Sequence, residues 1–260
     1  MSKKIIGNES DSLDNKVIAS REIMYSMNML ILQKYGMNNY GSGEYPLEFH
    51  NFDHSVTVSA AADLIYMEAL KRGKLHKYDL IYLRLACNGH DIEQNAKNEN
   101  GRATWASKEI LKRHDIEESL VSNELISALL TREMMMAKKA FSEHEICLVE
   151  NLILATRPYF EDGKFCQTAK NGTYLEKVIA DADLAHLGFC TRSFEASFKR
   201  YIDESYKNKP KPKSWILFNE EADFLEDHEY LTDEAKEIFN NKQANLEFCR
   251  NKINQCHRYL

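Results

Sequence analysis

The chain has 260 residues, of which 43% are hydrophobic and 28% are charged, a balance typical of a soluble globular protein with a large buried core. Its net charge of −6 argues against a general affinity for nucleic acid backbones, so we expect no nucleic acid duplex as a partner. Only 10 Gly and 4 Pro are present, which is few for a sheet-rich protein that must turn often, and helix is therefore the simpler interpretation.

The first predicted element is a helix over residues 10–35, followed by a Gly- and Asn-containing loop over 36–46. A second helix is predicted over 51–71, because apolar residues recur there at spacings of three and four and a glycine follows them. Residues 78–88 are apolar nearly all round, which predicts a buried central helix that ends at Gly89.

After a polar loop over residues 91–101, the chain is predicted to remain largely helical. The later elements, in chain order, are helices over 104–112, 117–130 and 143–154, a loop over 161–170, a helix from Tyr174, a Lys- and Pro-containing linker over 207–213, and two C-terminal helices of which the last spans 233–254. These elements predict one all-α domain over 1–260, with a core over 45–195 that the C-terminal helices of 196–260 complete.

The sequence also indicates in which cellular compartment the protein is expected. No apolar run approaches the roughly 18 residues that a membrane span requires, and residues 1–14 lack the apolar core of a signal peptide. The 6 cysteines are scattered without CxxC spacing, which favours free thiols over a disulfide scaffold at this length. We therefore expect a cytoplasmic protein that does not associate with membranes.

Two histidine-containing patterns place possible metal ligands at helix ends. His50 and His54 are four residues apart at the start of the second helix, a spacing that puts both imidazoles on one face. His90 and Asp91 close the buried helix, where Gly89 lets the chain leave regular helix and where free carbonyl groups favour a cation. A second His-Asp pair at 114–115 lies among charged residues and is interpreted as a solvated helix terminus.

A third pattern supplies carboxylates from a later part of the chain. Asp181 and Asp183 flank the apolar stripe of a predicted helix from different sides, so the helical wheel does not choose between them. Two histidines plus carboxylates, with positions left open, describe a catalytic site for a divalent ion whose shell phosphate oxygens can complete. The order and the setting of the three patterns therefore predict a metal site, although a single buried histidine is usually a satisfied core residue.

At this point the residues carry a resemblance to a known family. His54, His90, Asp91 and Asp183 together resemble the signature of the HD-domain metal-dependent phosphohydrolase superfamily, which has an all-helical fold. Residues 49–58 are similar to the stretch that opens the catalytic domain of cyclic-nucleotide phosphodiesterases, and residues 181–188 resemble stand-alone bacterial members. The resemblance implies a helical bundle around a buried metal site and a small phosphorylated substrate of nucleotide type.

The resemblance also implies roles for single residues. The implied ligands of one or two divalent ions (Mn, Mg, Ni, Fe or Zn) are His54, His90, Asp91 and Asp183. Asp91 would bridge the ions if two are bound, and His50 would donate a proton to the leaving oxygen. Gln94 stands where cyclic-nucleotide phosphodiesterases place a histidine, which argues against a tightly held second ion.

Further residues are candidates for orienting a ligand or contacting substrate. They are Asn51, Glu93, Glu99, Arg157, Asp181 and His186. Glu93 and Glu99 lie in the loop after the His-Asp pair, and Arg157 could clamp a phosphate group. Simpler alternatives stand beside these interpretations, such as helix capping for Asn51 and solvation for the loop carboxylates.

Three classes of function are compatible with the sequence. The first is hydrolysis of a phosphate ester by metal-activated water, as a phosphodiesterase or a phosphatase, with His50 as general acid. The second is a two-iron oxygenase on the same scaffold, which would need additional ligands that the loop with Glu93 and Glu99 offers most readily. The third is a non-catalytic regulatory module that keeps the fold.

Overall fold

The structure is a computed structural model that describes residues 8–37, 43–161 and 164–257. Helices dominate these residues, and the predicted all-α class is confirmed. The helices are α1 (Asn8–Tyr35), α2 (Phe52–Lys71), α3 (Asp79–Gly89), α4 (Trp105–Arg113), α5 (Asn123–Lys138), α6 (Glu143–Ala155), α7 (Tyr174–Asp183), α8 (Thr191–Ser205), α9 (Ser214–Asp227), α10 (Asp233–Ile238) and α11 (Lys242–His257). Strands are limited, within the described residues, to one antiparallel hairpin of β1 (Pro158–Glu161) and β2 (Lys164–Gln167).

The main core lies where α1, α2, α3, α5, α6 and α7 pack against one another. On α1 the buried positions recur every four residues, because that spacing keeps side chains on one helix face; they are Ile23, Met27, Ile31 and Tyr35. The predicted central helix is α3, which packs against α1, α2, α6 and α7. Its fully buried apolar residues are Leu83, Leu85, Ala86 and Cys87.

This packing brings three helix termini together. Helix α2 packs on both α3 and α7, and α3 also packs on α7. His54 lies in the first turn of α2, His90 caps the end of α3, and Asp183 is the last residue of α7. Among the described residues, no helix has both the length and the apolar character needed to cross a membrane.

Helix α5 begins and ends later than the sequence predicts. Residues 118–120 form a short 3-10 turn, and α5 starts only after Ser122, whose hydroxyl accepts a hydrogen bond from the N–H group of Leu125. The helix continues to Lys138 and ends where Lys139 adopts the left-handed conformation, with φ of 53°. The later start places Asn123 in the first turn of α5, beside the candidate site.

Two other segments differ from prediction. The predicted loop over 161–170 contains β2, which pairs with β1. The predicted last helix over 233–254 is two helices, because the chain leaves helical geometry at Phe239, with φ of −101° and ψ of 58°. There the backbone approaches Gly188 so closely that a Cβ added to this glycine would lie 2.2 Å from the Phe239 carbonyl oxygen.

Candidate metal centre and its cavity

The N-terminus of α2 holds His54 in place. Asn51 caps this helix, since its side-chain oxygen accepts hydrogen bonds from the N–H groups of Asp53 (3.0 Å) and His54 (3.4 Å). The Asn51 amide donates in turn to the carbonyl oxygens of Leu47 and Glu48. Asn51 thus takes the capping role that the sequence left open, and it fixes the turn from which His54 projects.

The C-terminus of α3 presents His90 and Asp91. Nδ1 of His90 lies 2.8 Å from the carbonyl oxygen of Cys87, and because a carbonyl only accepts, Nδ1 carries the proton. Nε2 is therefore the ring nitrogen that can bind a metal ion. Gly89 is the last residue of α3, where the sequence predicts the helix to end. Its missing side chain leaves room for Thr131, whose hydroxyl oxygen would lie 2.5 Å from a Cβ at this position.

Ligand atoms of four residues lie close together where these three helices begin or end; those of His54, His90 and Asp91 are all within 4.8 Å of one another, and Asp183 lies beside the two histidines. Nε2 of His54 lies 3.2 Å from Oδ1 of Asp183 and 3.3 Å from Oδ2 of Asp91. Nε2 of His90 lies 3.4 Å and 3.3 Å from the same two oxygens. Ligands bonded to one divalent ion at about 2.1 Å are separated by about 3.0 Å in an octahedral shell and about 3.4 Å in a tetrahedral one. The observed separations are therefore those of neighbouring ligands around a common ion.

Two of these atoms indicate directly that the residues suit a metal ion. Nε2 of His90 and Oδ2 of Asp91 are buried without a hydrogen-bond partner, in residues that are only 2% and 7% exposed. Buried polar atoms without partners are rare, since each costs free energy unless something binds it. Two imidazole nitrogens and two carboxylate oxygens form a donor set that suits a borderline or hard divalent ion.

The electrostatics of the centre keep the carboxyl group of Asp183 ionised. Burial alone would raise the pKa of this carboxyl group, but the hydrogen bond with His54 and the charges of His54 and His90 hold the pKa well below its usual range. Asp183 is therefore an anion at neutral pH, as a metal ligand must be.

The two aspartates of α7 face opposite directions. Asp183 belongs to the converging set, whereas Asp181 is fully buried and turned towards the C-terminal segment. The Asp181 carboxylate accepts hydrogen bonds from the N–H of Leu231 (2.7 Å) and from the N–H and hydroxyl of Thr232 (2.8 and 2.7 Å). Burial raises its pKa to about 6. Its contacts therefore give it a different task from the predicted one of orienting a metal-binding histidine, since it fastens the chain before α10 to α7.

His50 has a carboxylate partner that sequence reasoning missed. Nδ1 of His50 lies 2.5 Å from Oε1 of Glu204 on α8, and Oε2 of Glu204 accepts hydrogen bonds from the N–H groups of Phe49 (2.8 Å) and His50 (3.0 Å). Burial lowers the pKa of His50, but Glu204 and the charges of Asp91 and Asp183 raise it more, so the net shift is upward. A separation of 154 residues leaves no local sequence signal that would pair His50 with Glu204.

The predicted helical spacing of His50 and His54 is wrong in its detail. Helix α2 begins at Phe52, so His50 lies before the helix and before its cap. The two ring centroids are nevertheless only 5.5 Å apart. Both imidazoles therefore reach the same region.

The loop after Asp91 uses its carboxylates for purposes other than the site. Glu93 is buried, lies 2.9 Å from Nζ of Lys34, and accepts hydrogen bonds from the hydroxyl of Tyr35 and the N–H of Asn95. Glu99 is exposed and does not line the cavity beside the four ligand atoms. Neither carboxylate joins the converging set, so the predicted contribution of this loop to metal binding is not seen in its contacts.

The two remaining candidates differ in their positions. Arg157 is exposed, and its neighbour Thr156 lines the cavity instead, so the structure does not place the Arg157 side chain as a phosphate clamp. His186 does line the cavity, and its ring meets Phe49 edge-on with 5.3 Å between centroids. Burial lowers the pKa of His186 to about 4, so its imidazole is neutral at neutral pH.

A cavity of about 640 Å³ opens beside the converging atoms, and His50, His90, Asp91 and Asp183 are part of its wall. Its aromatic lining residues are Phe49, Phe160, Phe165, Phe198, Tyr201 and Phe224. In the described chain its lining includes no Lys or Arg but three glutamates, Glu124, Glu220 and Glu221. Arg200 lines a much smaller adjoining cavity of about 30 Å³, which His54 and Asp183 also line.

Neither a protein-family model nor a curated protein sequence matches this chain. Among solved structures, the chain is similar to the phosphodiesterase domain of Salpingoeca rosetta rhodopsin phosphodiesterase. The two share 14% sequence identity, the match covers 98% of this chain and 91% of that one, and the TM-score is 0.56. At this identity the likeness shows a shared fold, and membership of the HD-domain superfamily stays a prediction from the sequence.

Proposed function

We propose that this protein is a metal-dependent phosphohydrolase that acts on a phosphate ester of nucleotide type, and on a diester in preference to a monoester. The observation that carries the proposal is the convergence of two imidazole nitrogens and two carboxylate oxygens beside a large cavity. Two of the four atoms are buried without hydrogen-bond partners. The likeness of the fold to a phosphodiesterase domain supports the same class of reaction.

The metal ligands in this proposal are His54, His90, Asp91 and Asp183. When bound, a divalent ion supplies Lewis acidity towards a phosphoryl oxygen and lowers the pKa of water towards neutrality. The protein contributes by holding the ligands in position before the ion binds. The hydrogen bond to Cys87 sets the tautomer of His90, and the Asn51 cap positions His54, so little reorganisation is needed on binding.

His50 is the proton donor to the leaving oxygen. Because Nδ1 of His50 is engaged by Glu204, Nε2 is the ring nitrogen available to a substrate in the cavity. The carboxylate favours the imidazolium form, so a larger share of His50 is protonated at neutral pH than of a free histidine. Transfer of the Nε2 proton to the ester oxygen leaves a neutral imidazole that Glu204 still holds through the Nδ1 hydrogen.

The charge of the cavity favours a substrate with one negative charge. Glu124, Glu220 and Glu221 line it and no lining Lys or Arg of the described chain opposes them. A phosphate diester carries a single negative charge, whereas a monoester dianion or a triphosphate carries more and is repelled more strongly. The aromatic lining offers surfaces on which a nucleobase can stack, a contact worth about 1–3 kcal/mol per base in nucleic-acid-binding proteins.

The test measures metal-dependent turnover on matched esters. The purified protein, supplied with Mn²⁺, Mg²⁺ or Ni²⁺, is assayed on bis(p-nitrophenyl) phosphate, on p-nitrophenyl phosphate and on a panel of cyclic and linear nucleotides. We expect turnover that chelation abolishes, with the diester preferred over the monoester that shares its leaving group. Absence of metal-dependent turnover on every phosphate ester would contradict the proposal.

Two histidine variants separate metal binding from proton transfer. His54→Ala should lose both bound metal and turnover, whereas His50→Ala should retain the metal and slow the reaction by roughly 10²–10⁴. His114→Ala is the matched control, because His114 belongs to the other His-Asp pair, contacts Glu133 on α5 and does not line the cavity. Equal loss of metal in His50→Ala would contradict its role as proton donor.

Among the described residues, no contact favours the two-iron oxygenase. That function needs additional ligands, and Glu93 is engaged by Lys34 and Tyr35 while Glu99 lies outside the cavity lining. A non-catalytic module is not favoured either, because its usual mark is the loss of ligands and here four ligand atoms converge.

A further inference from the structure

The two carboxylate oxygens of Asp91 have different surroundings. Oδ2 is the atom without a hydrogen-bond partner, and it faces the imidazoles of His54 and His90. Oδ1 accepts a hydrogen bond of 2.6 Å from the side-chain amide of Gln94. Gln94 is bonded in turn to Asn123, with 3.2 Å between Oε1 of Gln94 and Nδ2 of Asn123. A chain of hydrogen bonds through the side-chain amides of Asn123 and Gln94, called the amide relay below, therefore ends on the Asp91 carboxylate.

The backbone contact of Asn123 fixes the direction in which each amide of the relay donates its hydrogen bond. The backbone N–H of Ala96 donates to the side chain of Asn123 at 3.1 Å, and because a backbone N–H can only donate, the atom that faces it must be the amide oxygen. The nitrogen of Asn123 then faces Gln94, the oxygen of Gln94 faces Asn123, and the NH₂ group of Gln94 faces Asp91. The backbone donor thus decides the orientation of both amides, which their shape alone would leave open.

The loop that carries Gln94 is held from two sides. The hydroxyl of Tyr35 on α1 accepts a hydrogen bond of 2.8 Å from the N–H of Gln94. The hydroxyl of Ser127 on α5 accepts one of 3.0 Å from the N–H of Glu93. The backbone that carries Gln94 is therefore anchored to both helices.

The Gln94 side of Asp91 offers little to a second cation. Among the described residues, the one group of three or more His, Cys, Asp or Glu ligand atoms within 4.8 Å of one another is His54, His90 and Asp91. The Gln94 amide turns hydrogens towards Asp91, and its oxygen is already engaged by Asn123. A cation on Oδ1 would therefore lie against the positive end of an amide dipole.

We propose that Gln94 and Asn123 are positioning residues that hold Asp91 so that the centre binds one divalent ion rather than two. The inference rests on the metal-dependent function proposed above. The relay presents Oδ2 of Asp91 to the first ion and occupies Oδ1 with a donor. Partners that hydrogen-bond to metal ligands typically change metal affinity by about 10- to 100-fold.

The experiment measures the number of bound ions as well as their affinity. Equilibrium dialysis with Mn²⁺ should give one ion per native chain, and the EPR spectrum of bound Mn²⁺ should be that of an isolated ion. Gln94→Glu replaces the donor by a second carboxylate beside Asp91, so we expect binding to rise towards two ions with the spectrum of a spin-coupled pair. Gln243→Glu, the same substitution at an exposed position of α11, should still bind one ion.

Asn123→Asp tests the polarity of the relay without touching Asp91 directly. An aspartate at position 123 would place a carboxylate oxygen next to Oε1 of Gln94. This repulsion favours a Gln94 amide rotated by 180°, so that its oxygen rather than its NH₂ group faces the Asp91 carboxylate. We expect the affinity for Mn²⁺ to fall about 10- to 100-fold, although Coulomb attraction from an added negative charge alone would raise it. An aspartate in the first turn of a helix is favourable, so the melting temperature of the metal-free variant should not fall.

Two ions per native chain, or an unchanged Mn²⁺ affinity in Asn123→Asp, would overturn this proposal. One bound ion without hydrolysis of any ester would instead contradict the proposed function and support the one-ion centre, so the two failures are distinguishable. A native chain that binds no divalent ion would overturn both.

Discussion

The substitution Glu204→Gln keeps the shape of the side chain beside His50 but removes its charge. Oε2 of Glu204 accepts hydrogen bonds from the backbone N–H groups of Phe49 and His50, so the amide oxygen of a glutamine must take that position. The NH₂ group then faces Nδ1 of His50, where the native carboxylate oxygen lies at 2.5 Å. A donor in that place requires Nδ1 without a proton, which disfavours the imidazolium form.

The size of the effect follows from the hydrogen bond that is lost. In the native protein burial lowers the pKa of His50 and Glu204 raises it, with a net upward shift. A hydrogen bond to a charged group contributes about 1.5–3 kcal/mol, and each 1.36 kcal/mol is a factor of ten. At a pH above the pKa, the protonated fraction should therefore fall by roughly 10- to 100-fold. A proton donor is active below its pKa, so the decline in rate with rising pH should occur at lower pH in the variant.

The assay is the pH dependence of kcat on the preferred phosphate diester, with bound metal measured in parallel. We expect the basic limb of the profile to move to lower pH, while the metal content per chain stays the same because Glu204 is not a ligand. Glu195→Gln, at an exposed position of the same helix, should leave the profile unchanged. A uniform loss of activity at every pH, with no displaced limb, would refute the idea that Glu204 acts through the proton of His50.

Three further outcomes are expected. Asp183→Asn should lose bound metal, whereas Asp181→Asn should keep it. Asp181→Asn should instead lower the free energy of unfolding by about 1–3 kcal/mol, because an amide cannot accept all the hydrogen bonds that the buried carboxylate accepts. Metal analysis and thermal unfolding of both variants check these outcomes. Burial raises the pKa of Glu221 to about 7, so Glu221→Gln should narrow the preference for the diester over the matched monoester at pH 8, where the native carboxyl is ionised, and change it little at pH 6, where it is neutral. Kinetics on the two p-nitrophenyl esters at both pH values measure that difference. Removal of the metal with EDTA should lower the melting temperature, since a ligand present at 100 times its Kd stabilises the folded state by about 2.7 kcal/mol; an unchanged melting temperature would argue against a metal bound to the folded chain.

Local signals explain why much of the centre is predictable. The scarcity of Gly and Pro predicts the confirmed all-α class. Each histidine proposed as a ligand lies at a helix terminus that the sequence marks, by the Asn51 cap before His54 and by the end of the apolar stretch before His90. These signals lie within a few residues of each histidine, so they can be recognised from the amino-acid sequence alone. Their roles as ligands and the domain boundaries stay predictions.

Contacts between distant parts of the chain explain what the sequence leaves out. The choice between Asp181 and Asp183 depends on Leu231 and Thr232, which lie fifty residues further on. The partner of His50 is on α8, and the amide relay to Asp91 depends on where α5 begins. Hydrophobic periodicity records which face of a helix is buried but not which polar group it meets.

The hydrogen bonds of Asp181 bear on when the metal centre can form during synthesis. Asp183 takes its position from α7, and α7 is fastened to donors that lie 50 and 51 residues after Asp181. A ribosome must therefore deliver the segment before α10 before this helix is anchored. A nascent chain that has already exposed all four proposed ligands would hold one of them, Asp183, on a helix that is not yet anchored. If these residues bind an ion as proposed, its binding follows the emergence of the segment before α10.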